Sequence, residues 1–251
     1  MRDARLLIPG QTCWRVEHAD QVATIIDGAD YFRHVKAAML RAQHRIILLG
    51  WDFDTRTLFE RGGKTMPGPN QVGTFLRYMV RIRHGLEIHL LRSNMRLVPA
   101  FDGLWGYTPV SLMNRLTRER LQFAVDGVHP VGSVPHQKIV IVDDKVAFCG
   151  GIDLTVERWD TREHEDHNEY RRALGELYGP RHDVAMAVDG DAARALAEHA
   201  RGRWLAATGV ELEPVVATHV VWPRGLQPTV RDVEVGIART CLLYTSDAAD
   251  E

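Results

Sequence analysis

The residues best suited to chemistry stand together in HQKIVIVDD, where His136, Lys138 and Asp143 follow the spacing H-x-K-x4-D. Side chains two apart on a strand point to the same face, so a strand over 136–142 projects His136 and Lys138 together. Ile139 and Ile141 then point the other way, where a buried sheet takes aliphatic residues. An imidazole can attack phosphorus or pass a proton near neutral pH, and an ammonium beside it can neutralise a phosphate oxygen. Strict alternation sends Asp143 to the opposite face. It is expected to end the strand and support the site.

Other candidates are weaker. His34-Val35-Lys36 also reads H-x-K, but it falls in an expected helix and Arg41 stands where the aspartate should be. Residues two apart on a helix do not face each other, so His34 is expected at the surface or in the core. His164-Glu165-Asp166-His167 gathers potential metal ligands, and His182-Asp183 could join them. The spacing is not H-E-x-x-H, and EHEDHNEYRR is so charged that a solvated loop without a metal is expected. No cofactor is called for, since histidine and lysine already supply nucleophile and positive charge. Gly62-Gly63-Lys64 lacks the strand–loop–helix setting of a phosphate-binding loop. Trp51, Trp105, Trp159 and Trp204 are expected in the core or at its rim, with Trp159 nearest to a functional case.

The elements that must position these residues alternate in type. Helices are expected at about 29–43, 71–83, 109–119 and 190–206, and strands at 45–50, 86–92, 121–125, 136–142, 145–149 and 183–188. Such interleaving predicts an α/β layered sandwich, a central mixed β-sheet flanked by helices.

Composition narrows the function classes. With 45% hydrophobic and 25% charged residues, the 251-residue chain has the balance of an ordinary globular protein. Its formal charge of -2 gives no global attraction to nucleic acid, although residues 71–120 carry eight Arg against three acidic residues. That segment is either a set of solvated helix faces or a basic wall beside an anionic substrate. Cys13, Cys149 and Cys241 have no spacing of a disulfide framework or zinc site, which fits a reducing cytoplasm. No apolar run approaches a membrane span. Residues 241–251, CLLYTSDAADE, match one translated frame of a transposase adapter used in sequencing libraries. They are expected to be an artefact, with the natural chain running on past Thr240.

HQKIVIVD, AFCGGIDL and ERWD together resemble the first active-site block of the phospholipase D superfamily, especially its phosphatidylcholine-type members. The likeness takes in Gly150, Gly151 and Asp153, the Arg158-Trp159-Asp160 stretch with His164 behind it, and Pro180-Arg181-His182-Asp183, where Arg181 replaces the usual aromatic. It runs from GWDFD to HARGRWLAAT and covers nearly all of 20–240. The resemblance implies that His136 is the histidine that becomes phosphatidylated and that Asp183 is the carboxylate orienting it. Lys138, Gly150, Gly151 and Asp153 would line the phosphate pocket. It further implies that residues 1–240 form one catalytic half, partnered by a second half with its own motif. The expected activity is hydrolysis or transfer of the phosphatidyl group of a phospholipid, with cardiolipin-synthase-like transfer as the near variant. The expected location is cytoplasmic, with association at a membrane surface left open. A nuclease of the same superfamily and a non-catalytic descendant are the rivals; nucleic acid is the less expected partner.

Overall fold

RIILLG at 45–50 is apolar on both of its faces, the pattern of a strand covered from both sides. In the computed structural model it is an interior strand of an eight-stranded sheet. The structure describes residues 6–93, 104–105, 108–109, 120–128, 135–173 and 175–239. Along the chain run β1 (Arg15–Ile26), α1 (Asp27–Met39), β2 (Arg45–Gly50), α2 (Val72–Ile82) and β3 (Glu87–Ser93). Short β4 (Leu104–Trp105) and β5 (Thr108–Pro109) pair with each other, and β6 (Leu121–Asp126), β7 (Ile139–Val142) and β8 (Val146–Gly150) follow. A small β9 (Arg172–Ala173) and β10 (Glu176–Leu177) precede β11 (Val184–Val188), α3 (Gly190–Thr208) and β12 (Val230–Ile237).

The large sheet has the order β12-β1-β11-β8-β7-β2-β3-β6. β2, β3 and β6 are mutually parallel, and every other neighbouring pair is antiparallel. The expected mixed α/β sandwich is therefore present. On one face α1 and α2 bring Phe32, Val35, Phe75 and Met79 against Ile46, Leu48, Val140 and Phe148. On the other, α3 lays Ala193, Leu196, Ala197 and Trp204 over Ile47, Ile139, Ile141 and Ala147. Successive residues of β7 thus serve opposite cores, as the pleat requires.

Several boundaries differ from expectation for physical reasons. α1 stops at Met39 because the amides of Gln43, His44 and Arg45 are taken by the Asp143 carboxylate, which is incompatible with another helical turn. β7 begins only at Ile139, so His136 and Lys138 lie in the extended segment entering it. The helix expected at 109–119 falls outside the described residues, apart from Pro109 in β5. β1 and β12 form one flank of the sheet without having been expected, since HADQ in β1 and RDVEV in β12 interrupt their apolar pattern with charge.

The H-x-K on α1 is structural. Lys36 is fully buried and pairs with Glu60 at 3.1 Å. Burial works to raise the Glu60 pKa, but hydrogen bonds from Thr65, Lys36 and the Met66 amide outweigh it and hold the carboxyl at about 2. Cys13 and Cys149 are free thiols.

Candidate active site

At the N-terminal end of β7, Lys138 Nζ lies 3.0 Å from His136 Nε2, so the two motif side chains share one face as expected. The ammonium has no lone pair, so it donates and Nε2 accepts, which leaves the ring proton on Nδ1. His136 is exposed, whereas Lys138 is buried. Burying an ammonium demands an opposite charge. Asp153 supplies it, with Oδ2 at 3.1 Å from Nζ. Burial pushes the Asp153 carboxyl above its ordinary value, against the pull of Lys138 and two backbone bonds. Asp153 Oδ1 also accepts the Trp51 amide at 3.0 Å, tying the end of β2 to the same ion pair. The Trp51 ring stands edge-on to His136 with centroids 5.5 Å apart, and Lys138 Nζ lies 5.9 Å from its centre. A small cleft beside these groups is lined by Tyr31, Gly50, Asp52, Phe53, Lys138 and Asp153.

The structure does not bring Asp143 to this pair. It stands at the other end of β7, five residues and about 16 Å of extended chain from Lys138. Its carboxylate is fully buried and accepts the Gln43, His44 and Arg45 amides at 2.7, 2.8 and 2.6 Å. His219 Nε2 lies 3.0 Å from Oδ2. Asp143 and Asp144 both have positive φ, at the centre of a turn closed by the Lys145 amide on the Val142 carbonyl. Asp143 thus binds the α1–β2 connection to the β7–β8 turn.

Asp183 sits just before β11, two strands from β7 and at the same end of the sheet. Among the described residues no hydrogen bond joins it to His136. Its Oδ1 accepts the Val184 amide at 2.7 Å. It also lies directly over Gly151, where an added Cβ would come 2.0 Å from that oxygen. At Gly150 a Cβ would come 2.5 Å from Ala185 Cα and the Val184 carbonyl oxygen. The paired glycines thus let β11 and the Asp183 carboxylate approach the end of β8.

The Arg158-Trp159-Asp160 and Pro180-Arg181-His182-Asp183 segments meet at the start of α1. The Ala29 amide donates to the Asp160 carbonyl, and a Cβ on Gly28 would collide with the Arg158 carbonyl at 1.9 Å. Asp160 is fully buried and accepts from Arg171, Thr161 and Arg181. Burial opposes its ionisation, but the Arg181 amide and its other donors prevail and hold its pKa low. Trp159 is buried, as one of its two expected places allowed. Glu165, Asp166 and His167 are exposed, whereas His164 turns inward to Asp27 and Asp160. Sequence reasoning passed over Asp27 and gave Trp51 no part in the site. The Asp-Gly pair at 27–28 and the position of Trp51 directly after a buried strand were the available signals.

No protein-family model matches the chain. Among curated proteins it is 26% identical to phospholipase D1 of Saccharomyces cerevisiae over 220 residues, covering 72% of this chain and 12% of that protein. It is 62% identical to phospholipase D1 of Rattus norvegicus over 164 residues, covering 55% of this chain and 15% of that one. The chain therefore spans less than a fifth of either relative. Among solved structures, a phospholipase D family member, Nuc from Salmonella typhimurium, aligns with a TM-score of 0.45 at 13% identity, covering 74% of this chain and 97% of that one. The chain belongs to the phospholipase D superfamily. Among the described residues, no helix is long and apolar enough to cross a membrane.

Proposed function

We propose that the chain carries the nucleophilic half of a phospholipase D-type phosphodiesterase acting on a phospholipid, with His136 as the nucleophile. The observation that carries the reading is the contact between an exposed imidazole and a buried ammonium, backed by a buried carboxylate. Nε2 attacks phosphorus in line, forming a P–N bond as the P–O bond to the headgroup breaks. A group opposite His136 must protonate the leaving alkoxide. In this proposal that acid is the histidine of a second motif, in a second half not contained in this chain. Water, or an alcohol in the transfer variant, then attacks the phosphohistidine and gives its proton to the same group. Phosphatidic acid or the exchanged lipid leaves, and His136 is restored. Lys138 stabilises the charge developing on the phosphoryl oxygens. Asp183 steadies the imidazolium formed after attack, a role that requires the His136 ring to move toward it. Gly150, Gly151 and Asp153 complete the wall of the phosphate pocket.

The test uses a leaving group that needs no acid. With a phosphodiester of p-nitrophenol, the chain should release a burst of nitrophenolate approaching one equivalent and retain the phosphoryl group on His136. His136→Ala should give no burst, and Asp183→Asn a slower one. An undiminished burst from His136→Ala, or label recovered on another residue, would refute the assignment.

A further inference from the structure

A second group of side chains converges where α1 begins. Asp27 opens that helix, with its side chain fully buried. Its Oδ1 accepts the Asp183 amide at 3.0 Å and lies 2.9 Å from His182 Nδ1. Among the described residues its Oδ2 is buried without a hydrogen-bond partner, although His164 Nε2 lies only 3.1 Å away. The two atoms are close, yet the contact lacks the geometry of a hydrogen bond. The other His164 nitrogen, Nδ1, lies 3.2 Å from Asp160 Oδ2. Asp160 is ionised and acceptor-only, so the ring proton belongs on Nδ1 and Nε2 presents a bare lone pair toward Asp27. A carboxylate that fixes the tautomer of an imidazole in this way is the usual support of a metal-binding histidine.

The third member is close by. One ligand atom each from Asp27, His164 and His182 lies within 4.8 Å of the others, and the two imidazole centroids are 4.9 Å apart. Four-coordinate zinc holds nitrogen and oxygen at about 2.0–2.1 Å, which sets ligand atoms about 3.3 Å apart. A modest contraction suffices, and His182, with 72% of its side chain exposed, is free to make it. Charge favours the same conclusion. Arg171 answers Asp160, but among the described residues the carboxylate of Asp27 is faced by two imidazoles and no guanidinium or ammonium.

We propose that Asp27, His164 and His182 bind a divalent transition-metal ion of the zinc type, with an open fourth position on the solvent side. Two imidazoles and one carboxylate suit zinc and its neighbours rather than magnesium or calcium, which prefer all-oxygen shells. The ion fastens the segment that carries Asp160 and His164 to the start of α1. Asp183 bonds Asp27 through both its amide and its carbonyl, so the ion also fixes the residue that lies over Gly151. It is a positioning device and does not touch the substrate.

The test is a zinc titration of the metal-stripped, untagged chain against a chromophoric chelator, with cobalt(II) as a spectroscopic substitute. One equivalent should bind, with the visible bands of a four-coordinate cobalt site. His182→Ala and His164→Ala should each weaken binding at least about 100-fold, beyond the roughly 10- to 100-fold cost typical of outer-shell changes. His167→Ala, an exposed neighbour in the same segment, should bind as the parent does. Losing the His182 bond to Asp27 should lower stability modestly, but the metal-free variant should keep the parent's circular dichroism and cooperative unfolding, so lost binding reads the site and not the fold. Absence of stoichiometric binding, or equal binding by His182→Ala, would overturn the proposal. Neither result bears on His136.

Discussion

Replacing Asp143 with Asn should damage stability and leave chemistry alone. Asn tolerates positive φ at least as well as Asp, so the turn at 143–144 is undisturbed and only the carboxylate is tested. Oδ1 can still accept the His44 and Arg45 amides, but each bond loses its charge assistance, about 1 kcal/mol apiece. Where Oδ2 stood, an NH2 group would face the Gln43 N–H and His219. Leaving that buried amide unpaired costs about 1–3 kcal/mol more. The total is about 4 kcal/mol, a large share of the 5–15 kcal/mol that typically holds a domain together. Urea unfolding followed by tryptophan fluorescence should show that loss, and the melting temperature should fall by about 10 °C. At low temperature, where the variant remains folded, the nitrophenolate burst per folded molecule should match the parent. A stable variant without a burst would return Asp143 to the chemistry. A shift below about 1 kcal/mol would refute the hydrogen-bond reasoning.

Lys138→Met should abolish the burst and cost about 3–5 kcal/mol of stability, because Asp153 is left as a buried unpaired charge. Adding Asp153→Asn should restore most of the stability in a denaturation assay but not the burst. Gly151→Ala should displace the Asp183 carboxylate and slow the burst while leaving α3 and the far core intact by circular dichroism; an unaltered rate would show that Asp183 moves freely. Burial lowers the pKa of His89 to about 4. A histidine whose folded pKa is depressed costs stability as pH falls from its unfolded value of about 6.5 to about 4, here about 3 kcal/mol. His89→Leu should flatten that part of the stability–pH curve, and an unchanged slope would exclude His89 as its source. Resequencing the source locus with a different library chemistry should give a residue other than Cys after Thr240; recovering the same tail would exclude an adapter origin.

The sheet interior was legible because β2, β3, β7 and β8 are aliphatic runs bounded by turns, and α3 reads as a small-residue stripe ending at Gly209. β1 was not legible: its central His18, Asp20 and Gln21 meet solvent, β12 and Asp189, partners more than 160 residues away in the last two cases. Of the candidate site, the His136–Lys138 pairing follows from residues two apart in extended chain. Trp51 and Asp27 come from other elements, and the local signals at each, a strand end and an Asp-Gly pair, do not say which residues they will meet. His164 and His167 look alike in sequence, but only the first lies against a buried carboxylate, a distinction made by the docking of its segment on α1.

Four residues of β7 separate Lys138 from Asp143, and they run from one end of the strand to the other. The interval between the two charged residues is therefore a ruler for the strand, not a dimension of the reacting group. Adding one residue there would turn Ile139 and Ile141 to the opposite layer and detach the Asp143 clasp from the α1–β2 connection. On the function proposed above, the spacing is kept by folding and the histidine by chemistry, so the two can be lost independently. A descendant that no longer uses His136 would still hold its aspartate at the same distance for as long as it folds.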